Sequence, residues 1–203
     1  GSVLNLGYSG QGPLSMLATM REYLNTNVEK VLWFYFEGND LNDLKEEKKN
    51  KILRNYLNSS SFTQNLKNKQ NRIDKLGIEI INKKKKTIER KKIIEREQML
   101  SLNVVNFLFM TNVRKLLFPY KPVGKIKEII NSAKNLAIKN NSKFYFVYVP
   151  SYYRYKNNYT NNRYYNSIKK IVRELNVPFI DINEDFFKNE KNPLKYYPFE
   201  KHG

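Results

Sequence analysis

"KVLWFYFEGND" (Lys30–Asp40) is the stretch that decides the fold. Six apolar residues follow one another between Lys30 and Glu37. Such a run fits a strand of a parallel sheet covered on both faces, and Gly38-Asn39-Asp40 is the turn chemistry that ends it. "SKFYFVYVPS" (Ser142–Ser151) is a second run of this kind, closed by Pro150, and "VPFIDI" (Val177–Ile182) a shorter third. Helical spacing precedes each of the latter two, over Val123–Lys139 and over Asn162–Leu175, where Ile168, Ile171, Val172 and Leu175 share a face. Upstream, Val3–Tyr8 alternates loosely and reads as a further strand. A knot of glycines follows it, and Pro13 opens a helix carrying Leu14, Leu17, Ala18 and Leu24. Strands alternating with helices over short turns predict an α/β fold built on an open parallel sheet.

Residues 41–118 break this rhythm. Leu41–Leu57, Phe62–Leu76 and Ile78–Leu100 read as polar, lysine-rich helices, and "SLNVVNFLFMTNVRKLLF" (Ser101–Phe118) as an apolar one. The last is too short to span a bilayer and is interrupted by Asn and Arg, so it reads as a core or lid helix. The expected organisation is an α/β domain made of residues 1–44 and 119–203, interrupted by a helical, lysine-rich insertion or cap over 45–118.

Composition removes several classes of function. The 203 residues contain no cysteine and one histidine. That excludes disulfides, thiolate metal sites and a cysteine nucleophile, and leaves no histidine-rich metal site. No cofactor and no metal are expected. The formal charge of +18 suggests a polyanion partner. Yet residues 45–100 hold 17 Lys and Arg against 7 Asp and Glu, so over half of that charge sits in the insertion. Lysine dominates arginine, with abundant Asn, Ile and Tyr, which is the drift of an AT-rich coding sequence. Nucleic-acid sites lean on arginine with interleaved aromatics, so nucleic acid is not the expected partner. No apolar run approaches the 18 or so residues of a membrane span.

Two loops carry chemistry. In "GYSGQG" (Gly7–Gly12), three glycines in six residues let backbone N–H groups approach a ligand closely. The helix beginning at Pro13 adds its positive end, which suits an anion or a developing oxyanion. In "FEGNDLND" (Phe36–Asp43), the Asn39 amide at the end of a strand can donate two hydrogen bonds. Asp40 beside it is expected to cap the next helix or brace the loop.

In order and spacing, "VLNLGYSGQGPLSML" followed by "VLWFYFEGNDL" resembles the SGNH (GDSL-type) hydrolase superfamily, esterases and acyl-modifying enzymes on a flavodoxin-like, three-layer α/β/α sheet. The resemblance covers Val3–Leu44 and, in layout, the last strand and tail. It implies that Gly10 supplies an oxyanion N–H and that Asn39, the asparagine of the family's "GxND", supplies a side-chain donor. His202 falls where the family's base is expected, or the base follows Gly203. Glu37 stands where the family has glycine, and Phe199 where its "DxxH" needs aspartate. The family's "GDS", with its nucleophilic serine, is absent from the 203 residues. The resemblance therefore implies a serine ester hydrolase or O-acyl-modifying enzyme acting on an acylated carbohydrate or another ester. The expected substrate is a polysaccharide or envelope glycan, in a cell-envelope setting. The chain itself is expected to be a truncated, inactive piece of that enzyme.

Two alternatives stand beside this. "G-x-S-x-G" is the nucleophile elbow of α/β-hydrolases. Gly7, Ser9 and a glycine displaced to Gly12 approximate it, with Asp181 or Asp185 and His202 as partners. The competing reading makes Ser9 a turn residue whose hydroxyl bonds local backbone or helps cap the helix. The second alternative is a non-catalytic glycan- or partner-binding domain using the basic helices. Separately, "PSYYRYKNNYTNNRYYN" (Pro150–Asn166) reads either as a sugar or polymer surface or as a tyrosine-rich exposed loop, and the paired Glu46-Glu47 reads as solvated charge rather than a metal or glycosidase site.

Overall fold

The computed structural model describes residues 1–94, 123–156 and 164–197. The chain divides into two compact units, Gly1–Gln64 with Pro122–Gly203, and Asn65–Lys121.

The first unit is mixed α/β around a three-stranded parallel sheet. Its strands are β1 (Lys30–Phe36), β2 (Lys143–Val149) and β3 (Phe179–Asp181), in that spatial order. Helix α1 (Pro13–Tyr23) precedes β1, and α2 (Asp40–Glu47) and α3 (Lys51–Asn58) follow it. In the second unit α4 spans Gln70–Ile94. Back in the first, α5 (Val123–Lys139) leads into β2, and the short α6 (Tyr152–Lys156) leaves it. Helix α7 (Tyr165–Glu174) leads into β3, and the short α8 (Ile182–Asp185) leaves it. No helix among the described residues is long and apolar enough to cross a membrane.

Register determines which side chains share a face. Trp33 pairs with Phe146, Tyr35 with Tyr148, and Phe146 with Phe179. Alternation therefore puts Trp33, Tyr35, Phe144, Phe146, Tyr148 and Phe179 on one side of the sheet. Their rings stack across the strands, Tyr35 on Phe146 at 5.6 Å between centroids and Phe146 on Phe179 at 6.0 Å. Leu14 and Leu17 of α1, Ile126, Ile129 and Ile130 of α5, and Ile168 and Val172 of α7 complete this core, all fully buried. The helical spacing of these residues is what the sequence had offered.

The opposite side of β1 differs from expectation. Leu32 and Phe34 remain 51% and 54% exposed among the described residues. Among the described residues β1 is an edge strand, buried on one face only. Val3–Tyr8, expected to be a strand, has no ladder partner among the described residues; Val3 is 93% exposed. A strand needs a neighbour to satisfy its backbone, and no described segment lies in register beside this one.

Asparagine closes two of the helix-to-strand turns. Asn141 and Asn176 adopt positive φ of 59° and 50°. After α5, the N–H of Ser142 bonds Ala137 O and that of Asn141 bonds Ile138 O. After α7, Val177 bonds Val172 O and Asn176 bonds Arg173 O. This pair of bonds is the Schellman motif, with asparagine in glycine's usual place.

The polar stretch around residue 60 also departs from its pattern. The Leu41–Leu57 segment is two helices, because Asn50 restarts the chain by accepting from the N–H groups of Ile52 and Leu53. The first half of Phe62–Leu76 is not helical. There the buried Glu22 carboxylate gathers the Tyr56 hydroxyl (2.5 Å), the Thr63 hydroxyl (2.8 Å) and the Gln64 N–H (2.7 Å). Ser101–Phe118 lies outside the described residues.

Candidate functional site

Ligands of parallel α/β sheets bind beyond the carboxyl ends of the strands. Here that rim is made by the turns after β1, β2 and β3, with the glycine turn before α1 tied to it through α2.

The glycine turn is a β-turn over Tyr8–Gln11, closed by the Gln11 N–H bonding Tyr8 O at 3.3 Å. Gly10 sits third, at φ +78°, the value that favours glycine in a type II turn. Ser9 is therefore the exposed second residue of a turn. Its hydroxyl bonds nothing among the described residues, so the expected capping role is not taken by Ser9. The cap comes from far along the chain. The Glu47 carboxylate accepts from the N–H groups of Leu14 (2.8 Å) and Ser15 (3.1 Å), at the first turn of α1. Gly12 makes this possible: a Cβ there would stand 2.7 Å from Asp43 Cβ and 2.7 Å from Glu47 Oε2. The positive end of α1, expected to await an anion, is thus occupied by the protein's own carboxylate. Glu47 is not the solvated charge its sequence context suggested; Glu46 is, paired with Lys49 at the surface.

After β1 the chain is clasped twice. Asp40, only 4% exposed, accepts the Phe36 N–H at 3.0 Å. Burial pushes its carboxyl up to about 8, against the backbone bond, and the nearby Asp43 and Glu47 add to the rise. This is the expected brace. Glu37 reaches the other way, to the segment after β2. It accepts from Ser151 N–H at 2.9 Å, Arg154 Nε at 2.9 Å and Arg154 Nη2 at 2.5 Å. The two side chains are 5% and 11% exposed. Arg154 also interacts electrostatically with Tyr148 and lies 5.4 Å over the Tyr165 ring.

Asn39 stands between the two clasped carboxyls. Its backbone carbonyl accepts from Asn42 N–H (2.7 Å) and Asp43 N–H (2.8 Å), starting α2. Its side-chain amide makes no hydrogen bond among the described residues and does not cap α2. Gly10 and Asn39 are connected through α2, whose N-cap is Asn39 and which carries the Asp43 and Glu47 that pack on Gly12.

After β3, Asp181 caps α8 through the N–H groups of Asn183 (3.1 Å) and Glu184 (3.3 Å), and its other oxygen takes the Tyr165 hydroxyl. Asp185 accepts the Asp181 N–H at 3.1 Å. Both candidate acids of the elbow reading hold backbone. His202 and Phe199 lie outside the described residues. No group of carboxylates or histidine among the described residues could hold a metal ion.

Sequence reasoning missed Glu37, Arg154 and Glu47 as parts of the site. A carboxylate ending an apolar strand was the available signal for Glu37. Its partner, Arg154, was read as part of an aromatic surface, whereas it points inward. Fold and site together define a parallel α/β domain with an uncommitted amide donor at the carboxyl rim. Comparison of the chain with models of known families, with curated proteins and with solved structures finds no match.

Proposed function

We propose that the chain forms the oxyanion-stabilising part of an SGNH-type serine ester hydrolase or O-acyl-modifying enzyme, on a flavodoxin-like sheet, with an acylated polysaccharide or envelope glycan as substrate. One observation carries this. Asn39 holds a donor with no partner among the described residues, between neighbours whose own polar groups are committed. A donor fixed before the substrate arrives needs no reorganisation when charge develops on a carbonyl oxygen. In the reaction, a serine Oγ attacks the ester carbon and passes its proton to a histidine. Asn39 Nδ2 and the Gly10 N–H stabilise the tetrahedral oxyanion. The alcohol leaves with the histidine's proton, and water or an acceptor hydroxyl then removes the acyl group. His202, or a histidine after Gly203, is the base, and Ser9 is scaffold.

The test is hydrolysis of p-nitrophenyl acetate and of an O-acetylated polysaccharide by the protein of the complete reading frame. Asn39→Ala is expected to lower kcat roughly 100- to 1,000-fold with little change in KM, while Ser9→Ala retains wild-type turnover. The 203-residue chain alone is expected to hydrolyse neither substrate. Ordinary turnover by this chain, abolished in Ser9→Ala, overturns the reading in favour of the elbow.

A binding-only role is the second reading, favoured by the exposed rings of Tyr153, Phe186 and Tyr196. Exposed aromatic faces suit sugar rings. Saturable glycan binding by a complete protein that hydrolyses no ester supports it.

A further inference from the structure

We infer that Arg154 is a positioning residue for Asn39, acting through Glu37; this rests on reading Asn39 as the oxyanion donor. Asn39 has no side-chain anchor of its own among the described residues, and Gly38 before it offers none. Its backbone is held by the Asn42 and Asp43 N–H groups on its carbonyl and by the Glu37 N–H on Val149 O, and two side-chain clasps fix the turn from Phe36 to Asp40 beyond that. One clasp is local, Asp40 on the Phe36 N–H. The other is long-range, and it takes three bonds from the segment after β2: the Ser151 N–H and both guanidinium bonds of Arg154.

The chemistry of this second clasp argues for orientation over stability. A buried ion pair gains little over a well-packed apolar pair of the same volume, because both charges are desolvated. What a forked guanidinium adds is direction. Two parallel N–H bonds fix a carboxylate in plane and rotation, which one ammonium cannot do. Arg154 is itself held from a further side by the Tyr165 ring, 5.4 Å from its guanidinium. With one bond of the fork removed, the Glu37 carboxylate can rotate, and the turn that carries Asn39 loses a side-chain tie to the segment after β2. A misplacement of about 1 Å at a reacting centre can cost roughly 100-fold in rate.

The experiment has two arms. In the complete protein, Arg154→Lys keeps the charge and removes the fork. It is expected to lower kcat roughly 10- to 100-fold with KM within about twofold. Asn39→Ala is then expected to cost under about 10-fold in the Arg154→Lys background, against the roughly 100-fold or more it costs alone. If Arg154→Lys fails to fold, Glu37→Gln, which keeps the shape, replaces it in the same cycle. Unchanged kcat, or equal cost of Asn39→Ala in both backgrounds, overturns the positioning role while leaving Asn39 as donor. The second arm reads the Asn39 side-chain amide by 15N NMR in the 203-residue chain, assigned by its loss in Asn39→Asp. Arg154→Lys is expected to shift and motionally average that signal. An unmoved signal overturns the inference. A wild-type complete protein that turns over no ester overturns the donor reading, and with it this role in catalysis, whatever the NMR arm returns.

Discussion

Asp40 enters the folded state as an acid. Buried against the Phe36 N–H, it titrates near pH 8 in the native protein and near 3.8 when unfolded. Between those values the native state holds a proton that the unfolded chain has released, so stability falls as pH rises. The slope from this one group is at most about 1.4 kcal/mol per pH unit. Asp40→Asn keeps an oxygen for the Phe36 N–H and has no charge to bury. Urea unfolding at pH 6 and pH 9 is expected to show wild type losing stability over that interval and the variant losing less. Equal losses in both proteins refute the assignment. Gly12 is a second single-residue lever. A methyl group there meets Asp43 and Glu47 at 2.7 Å, so Gly12→Ala is expected to push α2 from α1, undo the Glu47 cap and cost roughly 1–3 kcal/mol in chemical denaturation. Wild-type stability in that variant contradicts the packing. Of these residues, the brace role of Asp40 was legible from its place after "GN". The cap from Glu47 was not, because it joins positions more than thirty residues apart and leaves no local trace.

At the scale of elements, the apolar runs gave β1 and β2 to within a residue or two, and the α5 and α7 faces appear in the core as their spacing required. Periodicity reports burial on one or two faces only when every neighbour is present. β1 reads as doubly buried from its composition, yet Leu32 and Phe34 stand open. The chain around Phe62 misled for a different reason. Its polar groups serve Glu22, a buried carboxylate on another element, and a tertiary tie of this kind overrides local helical pattern. The site divides the same way. Gly10 and Asn39 are candidates from turn chemistry and from resemblance, since glycine and asparagine at strand ends have local causes. Arg154 depends on a partner across the sheet, and its sequence surroundings, rich in tyrosine and asparagine, point to solvent.

At the scale of the molecule, the edge of the sheet governs behaviour in solution. Lys143 N–H bonds Glu29 O and Glu37 N–H bonds Val149 O, so the odd-numbered residues of β1 face β2 and the even-numbered ones face outward. Asp40 takes the outward N–H of Phe36. Those of Leu32 and Phe34 have no partner among the described residues, and no charge interrupts the strand between Lys30 and Glu37. Natural edges are usually blunted by charge, proline or a bulge. The 203-residue chain is therefore expected to self-associate with rising concentration in sedimentation velocity, and Phe34→Lys to suppress it. A monomer at all accessible concentrations for wild type contradicts this.

The register of the ladder also orders events in time. Phe146 meets Phe179 across about thirty residues of chain, whereas Lys30 meets Lys143 across more than a hundred. Closing the longer loop costs more entropy before any contact rewards it. During synthesis the ribosome releases β1 long before β2 exists. Its apolar face must wait through the whole lysine-rich interval for a partner, and that wait is the period in which the nascent protein most needs a chaperone.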